Sequence, residues 1–176
     1  ITHRPVPVGD ANYKPSRYTQ ALPYKDSNRN SLAAVAMQYW KTDLRGDLTN
    51  NVPSEYSKVA AENNAVGKDP AFWQHMVTFT VSIGLKTSSG LSSVAEVNSG
   101  TTWPNPDTSD PDNDIPARLD DLLHAAVNGR GTFVSASNPQ AFADGLEAAL
   151  AKISERTASF SNVGATSSTN LNTGTL

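Results

Sequence analysis

An α/β fold built on an incomplete parallel sheet is what this sequence predicts, on three observations. Residues 77–85 set Val77, Phe79, Val81, Ile83 and Leu85 against Thr78, Thr80, Ser82 and Gly84, the clearest strand signal in the chain. Apolar residues at helical spacing lie on both sides of it, giving the order helix, strand, helix, strand, helix. Such alternation needs crossover connections, which place helices on the faces of a parallel sheet. Two or three strands leave outer backbone groups without partners, so the chain reads as part of a fold.

Residues 1–30 carry four prolines and no sustained period, and read as an irregular, aromatic-studded loop. Leu32, Val35, Ala36, Tyr39 and Trp40, with Leu44 continuing the stripe, predict an amphipathic helix capped by Asn30 or Ser31 and ended by Gly46. Residues 47–69 are polar, with "SEYSKVAAEN" a candidate short helix, and Asp69-Pro70 predicts a single helical turn through Trp73. Residues 86–115 turn to Ser, Gly, Asn, Asp and Pro, a loop insertion long enough to suggest function. Leu119, Leu122, Leu123, Ala126 and Val127 form the second helical stripe, stopped at Asn128-Gly129 before the short strand "GTFVSA". Asn138-Pro139 opens the third helix, with Phe142, Leu146, Ala149, Leu150 and Ile153 on one face. Residues 158–176 read as a Ser/Thr-rich linker.

The totals narrow the function classes. A length of 176 residues suits one domain, and a hydrophobic share of 38% with 11 Gly and 11 Pro points to a modest core with much loop. Fourteen basic and 17 acidic residues give a net charge of −3 without a basic block, which argues against nucleic acid as a partner. No apolar run reaches the ~20 residues of a membrane span. Ile1 is not an initiator methionine, so the numbering is expected to begin inside a longer precursor. Cysteine is absent, which excludes disulfides and thiolate metal sites.

Two short motifs are candidate sites. Asp110, Asp112 and Asp114 stand at the first, third and fifth places of a calcium loop, with Asp121 at the twelfth. Ile115 occupies the glycine place of that loop and the twelfth residue is Asp rather than Glu, so a solvated acidic loop before a helix is the competing reading. Arg45-Gly46-Asp47 spells a receptor-binding tripeptide if displayed on a loop; otherwise it marks a helix end. His3, His75 and His124 lack metal-ligand spacing and read as structural, and Trp103 as exposed. The turn amides of "NGRG" suit an anion less well than they suit a helix terminator. No nucleophile elbow, phosphate loop, dinucleotide fingerprint or proton-transfer pair is present, so no enzyme is expected.

Three blocks, "NSLAAVAMQYWKTDLRGDLTNNVP", "DPAFWQHMVTFTVSIGL" and "DDLLHAAVNGRGTFVSASNPQAFADGLEAALAKI", resemble the PilY family of type IV pilus tip-associated adhesin and assembly proteins. The most distinctive words are Trp73-Gln74-His75-Met76 and His124 through Gly131. The resemblance implies that residues 31–157 are the C-terminal part of a von Willebrand factor A-type domain, a doubly wound, Rossmann-like α/β fold. In it 77–85 is a late central strand, 131–135 the last strand and 139–154 the closing helix, and the tail leads towards a downstream β-propeller. Metal-binding A-type domains carry Asp-x-Ser-x-Ser after their first strand; it does not occur here, so no adhesion-site metal ligand is carried over. The resemblance further implies an extracellular protein at the pilus tip of a Gram-negative bacterium, acting through surface loops on host or abiotic surfaces. Expected partners are the upstream half of the same domain or a companion chain, and minor pilins. A purely structural role, docking onto minor pilins to prime fibre assembly, is the alternative.

Overall fold

The computed structural model describes residues 21–28, 30–57, 60–107 and 111–169, excluding the side chains at 60, 61, 111–114 and 156–169. The elements run α1 (Leu32–Lys41), β1 (Thr78–Ile83), α2 (Pro111–Asn128), β2 (Arg130–Ala136) and α3 (Pro139–Thr169), with 3-10 turns at Ala60–Asn64 and Val94–Glu96. β1 and β2 pair in parallel, Val81 beside Val134 and Ile83 beside Ala136, with an irregularity between Thr78 and Thr80. The helix–strand order and the parallel sheet flanked by helices are as the sequence predicts.

α1 begins where Ser31 accepts the Ala34 amide at 3.0 Å. Its buried face is Ala33, Ala36, Met37 and Trp40, whereas Leu32, Val35 and Tyr39 of the predicted stripe are exposed. The reason is close approach: Ala33 and Ala36 meet Ala125 of α2, and only small side chains fit that crossing. Asn128 ties the same crossing by donating to the Ala33 carbonyl at 2.9 Å. α1 ends at Lys41 with Thr42 extended, so Gly46 is not its terminator.

Asp69-Pro70 does not start a helical turn. The Asp69 carboxylate accepts the Trp40 indole N–H at 3.0 Å and faces His75 Nε2 at 3.0 Å, which holds the segment open. Trp73 donates its own indole N–H to the Trp40 carbonyl at 2.8 Å. The core forms around these rings, with Tyr24, Met37, Phe72, Val97, Leu123, Val127 and Phe133 buried against them. Burial of such side chains contributes roughly 1.5–3 kcal/mol each.

β1 alternates as predicted, but the face covered is the polar one. Thr80 is 8% and Ser82 4% exposed, while Ile83 is 66% exposed and Val81 also lies open. Thr80 Oγ1 donates to the Leu122 carbonyl at 2.8 Å, so α2 lies on that side of the sheet. α3 lies on the other side and over β2, where a Cβ on Gly145 would overlap the Val134 side chain. Helix α3 continues to Thr169, beyond the break predicted after Thr157. No proline interrupts residues 140–169, and a helix once nucleated propagates through Ala, Ser and Thr. Residues 170–176 lie outside the described residues.

The Gly129-Arg130-Gly131 turn joins α2 to β2 against the start of β1. A Cβ on Gly131 would overlap the Thr78 carbonyl, which leaves room for glycine alone. Arg130 takes φ 57° with its guanidinium 3.7 Å from the Tyr24 ring and 4.0 Å from the Trp40 ring. Replacing Gly131 with Ala should cost about 3 kcal/mol in urea unfolding. Gly46→Ala, where the added methyl meets nothing within 4 Å, should change stability by less than about 0.5 kcal/mol. Equal effects at the two positions would contradict this packing.

Candidate functional site

Arg45-Gly46-Asp47 lies in an exposed turn after α1. Leu44 N–H donates to the Gln74 carbonyl and Gln74 Nε2 to the Thr49 carbonyl, at 2.8 and 2.9 Å, so the turn is stapled at both ends. Arg45 donates Nε and Nη2 to the two carboxylate oxygens of Asp47 at 2.8 and 2.7 Å. That pairing holds the Asp47 carboxyl below its ordinary range and raises the Arg45 guanidinium. The tripeptide is displayed, but closed on itself.

Of the acidic run, Asp110 lies outside the described residues, and Asp112 and Asp114 fall in the first turns of α2 with their side chains also outside them. The Asp121 carboxylate accepts the amides of Leu32 and Ala33 at 2.7 and 3.0 Å, serving the N-terminus of α1. Among the described residues no three His, Asp or Glu side chains gather as a metal cluster.

Residues 86–107 are fastened to the core at two points. The fully buried Asp120 carboxylate accepts from the amides and hydroxyls of both Ser88 and Ser89, with Ser88 at 2.8 Å from N and 2.5 Å from Oγ. Four donors offset the desolvation of that charge. Further along, Trp103 is half-buried rather than exposed, stacked on His124 with centroids 4.2 Å apart and donating to the Pro23 carbonyl at 2.6 Å. Asn28 adds a bond to the Pro104 carbonyl at 3.2 Å. The fastened segment presents Ser92, Ala95, Glu96, Asn98, Ser99 and Thr102 to solvent. Asp120 was not singled out from sequence; an acidic residue within the apolar stripe of α2 is the signal that marks it.

No family profile matches the chain, and no solved structure does. Among curated proteins it is 38% identical, over 167 residues and 85% of its length, to the type IV pilus biogenesis factor PilY1 of Pseudomonas aeruginosa strain UCBPP-PA14. It is 34% identical over 168 residues to the same-named protein of strain PAK, covering 87% of the chain. The chain belongs to the PilY family. It spans about 14% of the length of these relatives.

On the surface of this PilY-family chain the Arg45–Asp47 pair is more than half exposed on both partners, where solvent screens it. No described helix is long and apolar enough to cross a membrane.

His124 is a buried titratable group whose protonation bears on stability. Its ring is buried, with Nε2 3.3 Å from the Tyr24 carbonyl and Nδ1 3.2 Å from Asp26. Both contacts are longer than charge-assisted bonds, so they do not offset desolvation, which pulls its pKa from 6.5 to about 4. A depressed histidine means that the unfolded chain binds the proton first. Stability is then complete above the unfolded value and lost as pH falls from 6.5 towards 4, by roughly 3 kcal/mol. Burial raises the Asp26 carboxyl, which acts in the opposite sense above 3.8. Urea unfolding of wild type and His124→Gln between pH 4 and 7 checks this: the variant should show the flatter profile. A wild type that grows more stable on acidification would contradict it.

Proposed function

We propose that this PilY-family chain is a non-enzymatic adhesion and assembly module of a type IV pilus-associated protein, carried at the pilus tip outside the cell. The observation that carries the reading is its 38% identity, along 85% of its length, to a protein named as a pilus biogenesis factor. The architecture supports it. A parallel α/β unit holds residues 86–107 in place through Asp120 and Trp103, so their outer side chains form a pre-ordered polar surface. The proposed parent fold is the von Willebrand factor A-type domain, with α2 and α3 on opposite faces of its sheet. Docking onto minor pilins to prime assembly is a second reading, favoured by the exposed apolar residues of α1, Leu32, Val35 and Tyr39.

Ser99→Arg with Thr102→Arg, introduced into the protein in its piliated host, separates the two. Both side chains are exposed, so folding should be preserved. Attachment to surfaces should fall by about tenfold with pilus number unchanged. Loss of pili would favour the docking reading, and no change in either would contradict the adhesive role of this loop.

A further inference from the structure

We infer that His75 is a proton-held latch: a buried imidazolium that keeps the Arg45–Asp47 turn stapled to the core at neutral pH and releases it in an alkaline medium. Both ring nitrogens face acceptors. Nδ1 lies 2.7 Å from the Trp73 carbonyl and Nε2 lies 3.0 Å from Asp69 Oδ2. A carbonyl oxygen only accepts, so Nδ1 carries a hydrogen. Nε2 then needs a second one, because otherwise its lone pair would face a carboxylate inside the protein. That proton rests on the ring. Asp69 Oδ1 already accepts the Trp40 indole N–H at 3.0 Å and the Ala71 amide at 3.3 Å, which suits the ionised acid.

Burial opposes a charge here, so its neighbours decide the outcome. The His75 and Asp69 side chains are 4% and 10% exposed. The Trp40 and Trp73 rings meet the imidazole edge-on, with centroids 6.4 and 6.3 Å away. Removing one charge of a buried pair leaves the other uncompensated, which favours keeping both. Asp69 is the acid that faces the ring from the segment before β1. Glu55 accepts the Asp69 amide at 2.8 Å and adds negative charge behind it. α1 contributes the Trp40 ring, and Arg130, from the turn after α2, is seated on that indole at 4.0 Å as the cation opposing the proton. The two acceptors touch the imidazole directly, so they outweigh it. His124 is the contrast: its contacts are 3.2 and 3.3 Å and it is held neutral.

The latch acts through the residues on either side of it. Gln74 accepts the Leu44 amide at 2.8 Å and donates to the Thr49 carbonyl at 2.9 Å, while Met76 donates to the Tyr39 carbonyl at 3.2 Å. These bonds flank His75 and hold the base of the exposed turn. Loss of the Nε2 proton sets a lone pair against Asp69, and moving the 74–76 strip relieves it. The closed form binds this proton more tightly than the open form. The latch is therefore complete below the ordinary imidazole value of about 6.5 and weakens as pH rises above it. The loss of stability towards pH 4 remains the work of His124.

NMR of the 176-residue chain tests this. At pH 7 both ring nitrogens of His75 should show protonated shifts, whereas His124 should be neutral. Between pH 7 and 9 the protection of the Leu44 and Met76 amides, corrected for base-catalysed exchange, should fall by about tenfold per pH unit until the ring deprotonates. In His75→Gln, whose amide donates without titrating, that protection should not depend on pH. If the variant does not fold, the wild-type ring and amide measurements decide alone. A His75 ring with one bare nitrogen at pH 7 would overturn the proposal, as would pH-independent protection of both amides in wild type. So would a folded His75→Gln that loses protection as steeply as wild type, which would place the titrating group elsewhere.

Discussion

Trp40 is the residue on which the arrangement depends. Its indole N–H goes to Asp69, its carbonyl accepts from Trp73, and its ring lies under the Arg130 guanidinium. One side chain thereby joins α1, the segment leading into β1, and the turn between α2 and β2. Arg130 extends the stack to Tyr24, bringing in the segment before α1. A left-handed backbone at a non-glycine residue is disfavoured, and here the aromatic sandwich offsets that cost. A modest core is enough because its largest members are also hydrogen-bonded, which sets their orientation as well as their burial.

The same economy governs the long connection between β1 and α2. A segment of this length with little regular structure should carry a large entropic cost if free. Asp120 and the Trp103–His124 stack convert it into an ordered surface by fixing it near both ends. The buried acid thus places a loop, and Asp121 beside it places a helix. Neighbouring aspartates have unrelated duties, and both are structural.

Much of this was legible in the sequence. The alternation of helix and strand, the strand at 77–85 and the PilY resemblance all rest on strong local signals, and architecture and kinship both followed from them. What was not legible concerns which side of an element meets a neighbour. The stripe of Leu32, Val35, Ala36, Tyr39 and Trp40 predicted the buried face of α1; Ala36 and Trp40 are buried, but a helix crossing made through alanines turned Leu32, Val35 and Tyr39 outward. In β1 the alternation was plain but did not say which side is covered, and α2 lies on the threonine side. The two cases share a cause: amphipathicity identifies a face able to be buried without saying whether its partner belongs to the same stretch of chain. Asp69-Pro70 misled for another reason, since the capping geometry it favours gave way to a long-range bond with Trp40.

The central claim is a tryptophan-centred unit, firmly packed within and open along one strand. Hydrogen exchange of the isolated chain followed by NMR tests it most directly. The indole protons of Trp40 and Trp73 and the amides of Thr78 and Gly84 should exchange slowly, the indoles only on global unfolding. The amides of Phe79, Val81 and Ile83 should exchange far faster, through local opening alone. Uniform protection along β1, or indole protons that exchange as readily as loop amides, would contradict the account.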